Sequence, residues 1–283
     1  MVRPSVGCLA FSPRERIITG GPAPRSLTHS MRIHALSDLH VDYAVNARWS
    51  DRLSRYDYTD DVLIVAGDLS HSLPLIARTL RSLTAKFATV LFVPGNHDVW
   101  VIREEPRDTS FAKFDAVCHV AFESGALTAP YVTGDVAIVP LWAWYDYSFG
   151  AITAAVREEW MDFRACRWPP GIEAHDVSLA LDRRNEANVR VERQTVISFS
   201  HFLPRIDIMP EYIPQHHRRL YPVLGTVRLE RRIRQLGSTI HVYGHSHLNR
   251  TVTIDGVTYV NNAFGYPWET TIAAKELRSI YES

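Results

Sequence analysis

Val62-Leu63-Ile64-Val65-Ala66-Gly67-Asp68 and Thr89-Val90-Leu91-Phe92-Val93-Pro94-Gly95-Asn96-His97-Asp98 decide the fold. Each opens as a short, continuous apolar run rich in β-branched residues, the signature of a strand buried on both faces. Each then reaches glycine, which lets the backbone turn where a side chain would strain it. Polar residues follow at once. Ligands in open α/β sheets bind beyond the carboxyl ends of the strands. Asp68 and the Asn96–Asp98 cluster should therefore share one rim of one sheet.

The same design recurs in three more places. Arg32-Ile33-His34-Ala35-Leu36-Ser37 ends in Asp38-Leu39-His40, Thr195-Val196-Ile197-Ser198-Phe199-Ser200 ends in His201, and Thr239-Ile240-His241-Val242-Tyr243-Gly244 ends in His245-Ser246-His247. A single histidine after a strand is ordinarily a cap or a surface residue. Five strands in chain order, each ending in Asp, Asn or His, point to a metal site.

Taken together, Asp38-x-His40, Gly67-Asp68, Gly95-Asn96-His97-Asp98, the lone His201 and Gly244-His245-x-His247 resemble the calcineurin-like metallophosphoesterases in spacing and order. The resemblance spans roughly Met31 to Gly265. It implies an α/β fold of two packed mixed sheets with helices outside, a four-layer αββα sandwich. It also implies two metal ions sharing one carboxylate. Carried over, Asp38, His40, Asp68 and His247 would hold the first ion, and Asp68, Asn96, His201 and His245 the second.

The chemistry of those residues is consistent with that assignment. Oxygen and imidazole donors without thiolate favour Mn, Fe, Zn or Co and argue against a calcium cage. Two carboxylates against two divalent ions leave a cationic site, which suits a phosphoryl group. Such ions acidify a bridging hydroxide and clamp the attacking and leaving oxygens of an in-line displacement. His97 stands outside the ligand set, as the candidate for protonating the leaving group or stabilising charge on it. Asp98 would fix its tautomer and orientation.

The 283 residues leave room for one large α/β domain or two small ones. The 46% hydrophobic and 22% charged content is ordinary for a globular protein. With a formal net charge of zero, nothing signals a nucleic-acid or anionic-membrane partner. The three scattered cysteines, Cys8, Cys118 and Cys166, fit a reducing, cytoplasmic setting without a disulfide frame. No run approaches the ~18 apolar residues of a membrane span. Residues 1–30 are rich in Pro, Gly, Arg and Ser without periodicity. They read as a disordered extension or an over-extended start ahead of Met31, with the phosphoesterase domain at residues 31–283.

From Met31 the pattern alternates strand and helix. Ser72–Lys86 and Ser110–Val117 carry helical apolar stripes, and Pro130–Val139 reads as a hairpin around Gly134-Asp135. Ala151–Trp160 and Ser178–Arg193 read as helices flanking an exposed, turn-rich loop at Arg164–Gly171. The aromatics of residues 142–168 read mainly as core. His216, His217, Arg218 and Arg219 read as a solvated loop. Val227–Leu236 is a basic helix, and Arg250–Val260 a hairpin turning at Asp255-Gly256. Asn262 is a candidate rim residue.

Departures from better-known branches narrow the function. Purple acid phosphatases carry a tyrosine ligand where this chain has His71, so an Fe–tyrosinate pair is not expected. Protein Ser/Thr phosphatases carry Asp-Arg-Gly and Gly-Asn-His-Glu where Ser70-His71-Ser72 and Asp98 stand here. A small-molecule phosphate ester is therefore the expected substrate, with His71 and Asn262 as candidate contacts. The alternatives are a phosphodiesterase of nucleotides or lipid head groups on the same centre, and a non-catalytic binding scaffold. A silent scaffold should have lost ligands, and all seven are present. The sequence carries no signal for the oligomeric state.

Overall fold

The computed structural model describes residues 18–19, 30–102 and 109–283. The expected extension lies outside the described residues, apart from Ile18–Thr19 and Ser30. The strands are β1 (Ile18–Thr19), β2 (Arg32–Leu36), β3 (Val62–Val65), β4 (Thr89–Phe92), β5 (Tyr131–Thr133), β6 (Val136–Pro140), β7 (Thr195–Phe199), β8 (Ile240–Tyr243), β9 (Arg250–Ile254), β10 (Val257–Asn261) and β11 (Arg278–Glu282). The helices are α1 (Ala44–Arg52), α2 (Leu73–Thr84), α3 (Ser110–Glu123), α4 (Ala154–Glu159), α5 (Asp162–Ala165), α6 (Ala174–Arg184), α7 (Gln215–Arg218) and α8 (Val227–Leu236).

Among the described residues the strands form two mixed sheets, ordered β1-β5-β6-β7-β8-β10-β9 and β11-β2-β3-β4. Alternation along the strands builds three apolar layers. Val62, Ile64, Leu91 and Val93 face Ile138, Ile197, Phe199 and Val242 between the sheets. Leu63, Val65, Val90 and Phe92 point the other way, onto Ile76, Leu80 and Leu83 of α2 and Val117 and Ala121 of α3. Ala137, Val139, Val196 and Tyr243 pack on Val177 and Leu181 of α6 and Leu229 and Ile233 of α8. This is the expected four-layer sandwich, and burial on both faces is why the central strands carry no polar alternation.

Two local expectations are corrected, and one strand was not foreseen. The helix expected at Ser178–Arg193 is α6. It starts earlier because Glu173 and Asp176 form a capping box, and it stops where the Asn185 amide exchanges two 2.8 Å hydrogen bonds with the Trp142 backbone. Arg164–Gly171 is not simply exposed. The Ala165 and Arg167 carbonyls accept from Val101 and Ser110 N–H, so the segment is tied to the loop beneath it. The C-terminal β11, which lacks a readable apolar alternation, pairs antiparallel with β2.

The sheets meet at their carboxyl ends. Beyond β2, the N–H groups of Asp38 and His40 donate to Gly67 and Asp68 carbonyls. Ser37 N–H donates to the Asn262 carbonyl beyond β10, and Gly244 N–H to that of His201. One continuous rim thus carries all five expected loops.

Candidate metal centre

The rim bends the backbone sharply. Among the described residues, seven non-glycine residues have positive φ. Five of them are Asp38 (53°), His40 (44°), Asp68 (58°), His245 (68°) and His247 (52°). Strained left-handed backbone persists only where its surroundings enforce it, and it clusters at functional sites. The glycines before the ligands are needed for room. A Cβ at Gly67 would fall 2.6 Å from His201 Nδ1, and one at Gly95 would overlap the Asp68 carboxylate.

The polar ends of these residues converge. Ligand atoms of Asp38, His40 and His247 lie within 4.8 Å of one another, as do those of Asp68, His201 and His245. Asn96 Oδ1 lies 3.0 Å from His201 Nε2.

The outward-facing ring nitrogens reveal what the inward ones do. His201 Nδ1 lies 2.9 Å from the Ala66 carbonyl and His245 Nε2 3.0 Å from the Val223 carbonyl. A carbonyl only accepts, so each of those nitrogens must carry the proton. The inward His201 Nε2 and His245 Nδ1 are then both lone pairs, yet they stand 3.1 Å apart. His247 repeats the arrangement: Nδ1 donates to Glu269 at 2.6 Å, and Nε2 faces His40 Nε2 at 3.1 Å and Asp38 Oδ1 at 3.3 Å. Acceptors that face acceptors need a cation between them. A metal ion held by borderline nitrogen and oxygen donors fits this set, with the outer carbonyls and carboxylate fixing each ring.

The electrostatics agree. Burial, reinforced by neighbouring imidazoles, pushes His40 and His245 down to about 3, and burial lowers His201 too. These rings stay in the neutral form that binds metal. Burial, together with the nearby Asp98 and Asp38 carboxyls, drives Asp68 well above the ordinary carboxyl range. Without cations the site resists a further negative charge there. Burial alone would raise Asp38, but the His247 imidazole beside it holds it well below that range. Burial opposes a charge on His247, yet Asp38 and Glu269 raise it to about 9. A proton occupies that position when no ion does.

The calcineurin-like phosphoesterase family model matches residues 31–249. The chain belongs to that family. It is 29% identical over 256 residues to the [acyl-carrier-protein] phosphodiesterase PptH of Mycobacterium tuberculosis, covering 83% of this chain and 78% of that protein. The crystal structure described as phosphopantetheinyl hydrolase from the same organism superposes with a TM-score of 0.75 at 26% identity, covering 89% of this chain and 96% of that one. The protein is a phosphoesterase, a hydrolase of phosphoric ester bonds built on a metal-binding site. No helix among the described residues is long and apolar enough to cross a membrane.

Two carboxylates that sequence reasoning missed hold this phosphoesterase site in place. Asp162 is buried and accepts from Asn96 Nδ2 (2.9 Å), Trp100 Nε1 (2.7 Å) and Trp160 Nε1 (2.8 Å). Fixing Asn96 Nδ2 turns Asn96 Oδ1 inward. Glu269 fixes His247, and the same oxygen accepts from Tyr266 N–H at 2.7 Å. Both lie far in sequence from the residues they orient, and no local pattern separates them from solvated acids.

The remaining candidates divide. His97 borders the centre on its partly exposed side, a ring nitrogen within 4.8 Å of the ligand atoms of His40 and Asp68, with its ring stacked on Trp100 (3.7 Å between centroids). Its Nε2 is 3.8 Å from Asp68 Oδ2, and its backbone N–H donates to the same carboxylate at 2.9 Å. Burial, then the neighbouring His40, holds its imidazole well below its usual range. Asp98 does not orient His97. Its two oxygens accept the backbone N–H groups of Asp68, Leu69, Ser70 and Gly95 at 2.8–2.9 Å, so it shapes the loops. His71 pairs with Asp42 at 3.2 Å on the partly exposed rim. Asn262 is withdrawn as a substrate contact. It is buried, donating to the Ala35 and Glu276 carbonyls and accepting from Asn249. His216 and His217 are exposed, but they stand on the short helix α7 rather than on the expected loop.

Proposed function

We propose that this protein is a dinuclear phosphodiesterase that hydrolyses the diester attaching a phosphopantetheine-type arm to a carrier protein. Asp38, His40, Asp68 and His247 would hold one ion, and Asp68, Asn96, His201 and His245 the other. The observation that supports the dinuclear reading is that imidazole nitrogens face each other in two separate pairs, His201 on His245 and His40 on His247, each 3.1 Å apart. The substrate class is supported by likeness to the mycobacterial phosphodiesterase over most of both chains. It replaces the small-molecule ester expected from sequence by a diester whose second alcohol belongs to a protein. That substrate also suits the cytoplasmic setting expected from the scattered cysteines.

Bound ions supply Lewis acidity and an activated water for attack at phosphorus. Mn, Fe or Zn suits the donors. The chain's own residues do the rest. The His97 N–H and the loops held by Asp98 fix the shared carboxylate. The His97 imidazole faces the partly exposed side, where the anionic phosphoryl group favours its charged form. It then gives its proton to the departing alkoxide. Water adds across the ester bond, leaving the carrier's free hydroxyl and the arm as a phosphomonoester. The division at Met31 into an extension and a catalytic domain is supported by the family match beginning there.

The test is release of the arm from a holo-carrier protein by enzyme reconstituted with Mn(II), followed by intact mass. Loss of the arm's mass is expected, and it should vanish in Asp68→Ala. Hydrolysis of p-nitrophenyl phosphate alone, with the carrier untouched, would return the reading to a small-molecule monoesterase.

A further inference from the structure

The family match ends at residue 249, yet the chain beyond β10 returns to the metal centre. Lys275 Nζ donates to the Phe264 and Tyr266 carbonyls, and Tyr266 N–H donates to Glu269. These bonds pin Tyr266 at the partly exposed side. Its ring lies nearly parallel to His40, 4.6 Å between centroids at 26°, and its hydroxyl is 3.4 Å from His97 Nε2. Trp268 stacks on Tyr266 in turn, at 5.0 Å and 24°. Tyr43 stands edge-on to both, at 5.7 Å and 71° to Tyr266 and 5.4 Å and 89° to Trp268.

This series of rings runs from a metal ligand into solvent. Trp268 is 65% exposed and Tyr43 37%, so the outer rings are not there to fill the core. Three aromatics in contact at the mouth of a polar site form a surface that recognises a ligand.

We infer that Tyr43, Tyr266 and Trp268 bind the organic arm of the substrate, the chain of amides and methyl groups attached to the scissile phosphate. The inference rests on the carrier-arm reading above. The inner end fixes the occupant's position: Tyr266 stacks on His40 beside the centre, so a group that reaches it is one of the two substituents on the phosphorus. The shape fixes its kind. Trp268 and Tyr266 already stack on each other and leave no parallel slot between them for a planar base. Tyr43 turns the platform into a right-angled corner, which receives an extended chain along two walls. Planar amides lie along the exposed Trp268 ring, and the methyls fill the corner.

The test is competitive inhibition of bis(p-nitrophenyl) phosphate hydrolysis by Mn(II)-loaded enzyme, using phosphopantetheine, AMP and inorganic phosphate. Removing one exposed ring wall should raise the Ki of phosphopantetheine about tenfold in Trp268→Ala, while that of phosphate changes by less than about twofold. Tyr43→Ala should follow, and Trp268→Phe should keep most of the affinity. Trp268 is exposed, so its variants retain the fold. Equal shifts for phosphopantetheine and phosphate, or none for either, overturn the platform. A tenfold shift for AMP alone overturns its occupant. If wild-type enzyme strips a holo-carrier while Trp268→Ala leaves every Ki unchanged, the platform fails and the function stands. If wild-type enzyme leaves the carrier intact, the function fails.

Discussion

Replacing Glu269 by glutamine should weaken one metal position and spare the other. Glu269 accepts the His247 Nδ1–H at 2.6 Å and the Tyr266 N–H at 2.7 Å through one oxygen. A glutamine oxygen can accept both, so Glu269→Gln keeps the geometry and removes only the charge. Loss of such an outer partner costs about 10–100-fold in metal affinity, or about 1.4–2.7 kcal/mol. The proton works in the opposite direction. Glu269 is one of the groups that hold His247 up near 9, so the variant's imidazole releases its proton more easily. At about pH 7 this partly offsets the weaker bond, and above about pH 9 the offset disappears. Chelator-buffered titration with Zn(II) or Mn(II), read by bound metal per chain, should therefore show a larger loss at about pH 9 than at about pH 7. Only one of the two ions should be affected, because His201 and His245 are fixed by the Ala66 and Val223 carbonyls instead. A greater loss at the lower pH, or equal weakening of both ions, would refute the assignment of tautomers on which the centre rests.

Other outcomes follow from the same geometry. His97→Ala should lower kcat about 10²–10⁴-fold with metal content retained, and more for an alkyl ester than for a p-nitrophenyl ester, whose leaving group needs little protonation; equal defects would make His97 a charge clamp. Gly95→Ala should lose both soluble protein and metal, since its Cβ overlaps the Asp68 carboxylate; a normal melting temperature and two ions would contradict this. Chelated protein should lose stability as pH rises from 6.5 through 9, because His247, raised to about 9, loses its contribution there. Thermal melts should show this fall, and saturating Mn(II) should remove it; a flat curve over that range would count against the shift. Deleting Met1–Ser30 removes the two-residue edge strand β1 but should leave kcat/KM unchanged and move the melting temperature little, because the bond network of the centre begins at Ser37; loss of soluble protein on truncation would show that β1 is needed for the fold.

The convergence of the candidate ligands was legible because each follows a strand in the chain, so sequence order and spatial order agree along the rim. The pairing of two sheets was not legible from periodicity and came with the family resemblance. What orients the ligands was not legible at all. Asp98 looked like a partner for the adjacent His97, but its carboxylate turns inward to four amides. Asn262 looked like a substrate contact because it follows a strand at the rim, but its side-chain amide is consumed by the Ala35 and Glu276 carbonyls. Asp162 and Glu269 act across 66 and 22 positions of sequence, and only tertiary structure brings them to Asn96 and His247. The segment holding Tyr266 and Trp268 has neither strand nor helix period.

The four amides gathered by Asp98 also bear on how this enzyme is loaded. They clasp the loops after β3 and β4 through bonds in which no ion takes part, and the outer carbonyls aim His201 and His245 in the same ion-free way. The cage is therefore a product of folding, unlike a zinc finger, which collapses around its metal. A vessel finished before it is filled takes what is offered to it. Geometry and donor type admit several first-row ions here, and intrinsic affinity alone does not choose between them in a cell. The same polypeptide, made in iron-rich and in manganese-rich surroundings, should emerge as two preparations with one backbone and different turnover, its composition recording the supply at the time of synthesis.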